Sequence, residues 1–60
     1  MYDVIHAIKS NTKRMTKLFS LSNVMERRQQ AKKYVIAECA TQKIKLSHDE
    51  IIKAVCKVLA

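Results

Sequence analysis

Neither glycine nor proline occurs among the sixty residues, and this double absence excludes more than any other feature of the composition. Tight turns between strands generally need one or the other, glycine to reach positive φ and proline to pre-set the turn. The chain is therefore expected to be all-α, with helices joined by short polar loops. Tryptophan is absent too, and Tyr2, Phe19 and Tyr34 are the only aromatic residues, so Ile, Val, Leu, Met and Ala must make the core. At this length apolar burial barely outweighs the conformational entropy of ordering the chain, and such chains usually need a staple or a second subunit. The expectation is one helical domain over 1–60 that gains stability by self-association as a homodimer.

Cysteine is scarce. Cys39 and Cys56 are the only two, enough for a single bridge. The first apolar residues are interrupted by Asp3, His6 and Lys9, which is unlike a secretory signal and points to a cytoplasmic setting. Both cysteines are accordingly read as buried, reduced thiols. With His6 and His48 they lack the close-paired spacing of zinc sites, so no metal or cofactor is expected. No phosphate-binding glycine loop can exist without glycine. No Ser or Cys is placed beside a His and a carboxylate, so the chain is not expected to be an enzyme. No stretch approaches the roughly 20 apolar residues of a transmembrane segment.

Acids are the other shortage: five Asp and Glu stand against twelve Lys and Arg, for a net charge of +7. Asp3, Glu26, Asp49 and Glu50 all fall near expected helix starts, where they complement the positive end of the helix dipole. With those four assigned to local structure, the exposed faces are left almost wholly basic. Such a field favours nucleic acid, an anionic membrane or an acidic protein.

Three helices are expected, at about 2–19, 23–42 and 48–59. From Tyr2 to Phe19 the apolar residues Val4, Ile5, Ala7, Ile8, Met15, Leu18 and Phe19 share one arc at about 100° per residue. Lys9, Lys13, Arg14 and Lys17 are read onto the opposite side. Ser10 to Thr12 are poor helix formers, so this helix should be weakest there. Ser20 to Asn23 make the first break, with Asn23 or Ser22 capping the second helix. That helix places Val24, Ala31, Val35 and Cys39 on one stripe, widened by Ile36 and Ala40, with Arg28 in the same stripe. Lys43 to Leu46 read as a connector. Ser47-His48-Asp49-Glu50 is a capping box, with Leu46 and Ile51 placed for the hydrophobic staple. The third helix then lines up Ile51, Ile52, Val55, Cys56, Val58 and Leu59, leaving Lys53 and Lys57 outside.

The functional candidates sit on the first half of the second helix. Arg27, Arg28, Gln29, Gln30, Lys32 and Lys33 combine phosphate-contacting cations with the Arg and Gln types that read base edges in a major groove. The expected contact surface for nucleic acid or an acidic partner is Arg27, Arg28, Gln29, Lys32 and Lys33, with Lys9, Lys13 and Lys17 as a second basic stripe. A helix-turn-helix over Val35 to Leu59 fits less well, because the connector lacks the usual turn glycine. Two alternatives remain: a protein-interaction homodimer without nucleic-acid binding, and a membrane-surface protein using the basic amphipathic stretch 2–19. Glu38, inside the apolar half of the second helix, is expected to face outward or to pair with a cation from a neighbouring helix or subunit.

In size, charge and layout the whole chain resembles the small accessory proteins encoded in early regions of temperate lambdoid bacteriophages. YDVIHAIK, MERRQQAKKYVIAECA and SHDEIIKAVCKVL are the segments that carry the resemblance. It implies a cytoplasmic regulatory protein that acts on a host through binding, and it transfers no functional residues.

Overall fold

Among the described residues four helices, rather than three, follow one another: α1 (Val4–Lys9), α2 (Thr12–Ser20), α3 (Val24–Gln42) and α4 (His48–Leu59). The structure, a computed structural model, describes residues 2–60, and no strand occurs among them. The first expected helix is broken where its helix formers are poorest. Ser10 closes α1 through its N–H to the His6 carbonyl at 2.9 Å. Asn11 then leaves the helical region (φ −86°, ψ 97°) and caps α2, its side-chain oxygen accepting the Arg14 N–H at 3.1 Å. A short amide side chain that can satisfy a first-turn donor competes with helix continuation, and here it wins.

The other helix ends obey the same chemistry. Asp3 caps α1 by accepting the His6 N–H at 3.0 Å. Asn23, rather than Ser22, caps α3, accepting from the Met25 and Glu26 amides. The capping box of α4 is complete: Ser47 Oγ accepts the Glu50 N–H at 3.2 Å, and Glu50 accepts the Ser47 N–H at 3.1 Å. These reciprocal bonds hold the Glu50 carboxyl below its ordinary range, chiefly through the Ser47 backbone donor. Leu46 and Ile51, on either side of the cap, are half-buried against the core. At the far end of α3, Lys43 takes the left-handed conformation (φ 56°, ψ 39°). Its N–H and that of Ile44 bond the Ala40 and Cys39 carbonyls at 3.3 and 2.8 Å, the paired pattern that ends many helices, usually on glycine. With no glycine in the chain, a lysine adopts the strained position.

Each helix contributes one fully buried large side chain to the centre: Ile8 from α1, Leu18 from α2, Val35 from α3 and Val58 from α4. Val4, Ala31, Cys39, Ala54 and Val55 complete the same cluster. α1 and α3 each pack against all three other helices, whereas α2 and α4 do not meet. The six-residue α1 is therefore as central to the assembly as α3. Several expected core positions lie at the surface instead: Phe19 is 50% exposed, Val24 55%, Ile36 46% and Ile52 47%. Ala40 and Cys56 are exposed as well. Phe19 lost its place when the break after Lys9 reset the helical register. Val24 does lie on the buried stripe of α3, but at its first residue, where no neighbour covers it.

Candidate functional site

The expected contact residues share one helix, yet α3 gives them different tasks. Arg27 is only half-exposed, and its Nε donates to the Leu21 carbonyl at 2.9 Å while Nη2 lies 3.5 Å from the Ser22 carbonyl. Its guanidinium therefore fastens the loop between α2 and α3, supplying donors to carbonyls that no helix satisfies. Of the expected contact residues, Arg27 is the one that the fold itself engages. Arg28, Gln29, Lys32 and Lys33 are all exposed. At about 100° per residue, Lys32 and Lys33 diverge onto separate flanks of α3, whereas Arg28 and Lys32, four apart, stand one above the other. The two-sided basic segment of the sequence thus resolves into one ordered flank plus an outlying Lys33.

That flank borders an open groove of about 310 Å³ between α3 and α4. Arg28, Gln29 and Lys32 form its α3 wall, and Ile51, Ile52, Val55, Cys56 and Leu59 form its α4 wall. The α4 residues were expected to lie in the core. Their arc spans about 160° at 100° per residue, and α1 and α3 cover only the part nearest Ala54, Val55 and Val58. An apolar arc wider than its neighbours can cover was the signal available in the sequence. Cys39 is buried, as expected, and Cys56 is not. Burial pushes the Cys39 thiol up, with the Glu38 charge adding to the effect.

The second basic stripe is also divided. Lys9, Lys13 and Lys17 are exposed, but Lys9 ends α1 while Lys13 and Lys17 lie on α2, so no single helix carries all three. Arg14 leaves the basic side altogether. It precedes Leu18 by one turn and so faces the seam with α3, where its Nη1 donates to Glu38 Oε1 at 2.9 Å. The Tyr2 hydroxyl donates to the other carboxylate oxygen at 2.5 Å. The guanidinium carbon lies 5.4 Å from the centre of the Tyr34 ring, within cation–π range. Glu38 therefore ties the segment before α1, and α2, to α3, and its partner lies within the same chain. The Tyr2 bond chiefly, then Arg14, holds its carboxyl below the ordinary value; the same bond raises the Tyr2 phenol.

Electrostatically, Arg14–Glu38 is the only ion pair among the described residues. Lys9, Lys13, Lys17, Arg28, Lys32, Lys33, Lys43, Lys45, Lys53 and Lys57 are exposed without one. Among the described residues no three His, Cys, Asp or Glu side chains come together as a metal site would require. No helix there is long and apolar enough to cross a membrane. Compared with protein-family models, curated proteins and solved structures, the chain matches none.

Proposed function

We propose that the protein is a small non-enzymatic binding module whose partner is an anionic macromolecule, nucleic acid or an acidic protein. The observation that carries this reading is the imbalance of the surface. Ten of the twelve cationic side chains are exposed without an ion-pair partner among the described residues, against four exposed acids, Asp3, Glu26, Asp49 and Glu50, of which Asp3 and Glu50 are hydrogen-bonded at helix starts. A field of one sign at this density steers anionic partners and releases their counterions on contact. Arg28, Gln29, Lys32 and Lys33 supply the principal contacts, and Lys13 and Lys17 a second set. The resemblance to early-region phage proteins adds a setting, a host cytoplasm in which a regulatory protein acts by occupancy rather than by chemistry.

Titration of the protein against a 20-base-pair duplex DNA and against polyglutamate, each at low and moderate salt, tests the reading. Affinity for at least one should fall steeply as salt rises. Absence of binding to both at low salt would overturn it.

Self-association is a second reading, favoured by the exposed apolar side chains of Phe19, Val24, Met25 and Ile36. Sedimentation over a hundredfold range of concentration should then show a dimer, and a monomer throughout would remove it. The membrane-surface reading loses its main support, because residues 2–19 form two short helices whose apolar side chains Val4, Ile8 and Leu18 are already buried in the core.

A further inference from the structure

We propose that the groove between α3 and α4 receives an amphipathic helix from an acidic partner protein. The inference rests on the anionic-partner reading and names the partner of one surface. The α4 wall is aliphatic, formed by Ile51, Ile52, Val55 and Leu59 beside the Cys56 thiol, and the α3 wall carries Arg28 and Lys32 stacked one turn apart, with Gln29. Groove-binding helices place apolar anchors at i, i+3 or i+4, and i+7. Ile52 to Leu59 spans about 10 Å along α4 at 1.5 Å per residue, the length of two turns of such an occupant. The cations along one wall select acidic residues on the matching flank of the incoming helix and repel basic ones.

Two other occupants fit less well. A second copy would bring another +7 charge, and an isologous contact would set Arg28 and Lys32 of one protomer near those of the other. Nor can this chain supply the acidic flank. Asp3, Glu38 and Glu50 are engaged by hydrogen bonds, which leaves Glu26 in the first turn of α3 and Asp49 in that of α4, on separate helices. Nucleic acid would meet the two cations and Gln29, but the aliphatic α4 wall has no aromatic ring on which a base could stack, and its exposed apolar side chains call for apolar anchors instead.

The test uses the full chain and three labelled 16-residue peptides, with binding followed by fluorescence anisotropy. One is an amphipathic helix with Leu at i, i+4 and i+7 and Glu along one flank. The second scrambles the same residues, and the third replaces every Glu by Lys. The first should bind at least tenfold more tightly than either control. Arg28→Glu with Lys32→Glu should abolish the preference, and Ile52→Asp, at an exposed position, should weaken the first peptide at least tenfold with the helical circular-dichroism signal unchanged. Lys13→Glu with Lys17→Glu should leave the preference intact. Equal binding of the ordered and scrambled acidic peptides would overturn the groove proposal while leaving general anion binding standing. So would a dimer in sedimentation that Ile52→Asp dissociates, which would assign the groove to a second copy. Failure of duplex DNA, polyglutamate and all three peptides at low salt would remove the underlying reading as well.

Discussion

Arg14 and Glu38 stand 24 residues apart in the chain and 2.9 Å apart in the fold. Their pairing fixes how α2 lies against α3. The side chains are 31% and 14% exposed, so the pair is partly sheltered, and charge-assisted bonds of this kind contribute about 0.5–1 kcal/mol. A double-mutant cycle through Arg14→Met and Glu38→Gln, read by urea unfolding, should return a coupling of that size. A coupling near zero would mean that apolar packing alone sets the α2–α3 geometry.

The same carboxylate makes an acid-sensitive contribution to stability. Its pKa in the folded chain lies below the ordinary 4.5, so its contribution is complete above that value and is lost as the pH falls through the lower folded-state pKa. Between about pH 7 and about pH 3, the advantage in thermal stability of the natural chain over Glu38→Gln should therefore shrink. An advantage that is constant with pH would place the Glu38 contribution in shape rather than charge. Glu50, depressed by its Ser47 bonds, weakens in the same direction in both proteins, so the comparison isolates Glu38.

Leu18 and Phe19 are neighbours with opposite fates, the first fully buried and the second half-exposed. Leu18→Ala should cost about 2–5 kcal/mol and Phe19→Ala about 1 kcal/mol or less. Chemical denaturation of the two variants separates them. Equal costs would restore Phe19 to the core and with it the unbroken first helix.

Two helix ends make a matched pair of opposite sign. Ser47→Ala removes half of a capping box and should destabilise by about 1 kcal/mol. Lys43→Gly relieves a left-handed lysine and should stabilise by about 0.5–1 kcal/mol. A loss on Lys43→Gly would mean that the lysine side chain contributes more at this position than its backbone strain costs.

The local signals in the sequence were the ones that act within a few residues. The Ser47–Glu50 box, the Asn23 cap, the Ala31–Val35–Cys39 stripe and the weakness at Ser10–Thr12 are properties of short segments, and each appears in the fold. What the sequence did not yield depends on distant partners. The weak stretch became a break because Asn11 could cap, and that change of register turned Arg14 toward Glu38 and Phe19 toward water. Arg27 read as another cation of a basic run, because only the folded loop shows Leu21 and Ser22 presenting carbonyls to it. The α3–α4 groove had only a partial signal: the width of the apolar arc on α4 was legible, but which part of it α1 and α3 leave uncovered depends on the packing.

Arg27 and Arg28, adjacent in sequence, should separate stability from binding. Arg27→Ala removes charged donors from loop carbonyls and should destabilise by about 1–2 kcal/mol, with a small change in affinity for an anionic probe. Arg28→Ala should leave the unfolding midpoint unchanged and weaken binding. Parallel unfolding and anisotropy measurements distinguish them, and the reverse pattern would return Arg27 to the contact surface.

The most direct test of the anionic-partner account is the salt dependence of binding to a 20-base-pair duplex and to polyglutamate. For DNA, neutralisation of four to six phosphates gives a slope of log affinity against log salt of roughly −4 to −5, and removal of Arg28 and Lys32 should make it shallower by about 2. For polyglutamate, affinity should likewise fall with salt and with loss of the same two residues. The account predicts this behaviour for at least one of the two polymers. Failure of both to bind at low salt, or binding that neither salt nor the Arg28 and Lys32 substitutions alter, would contradict it.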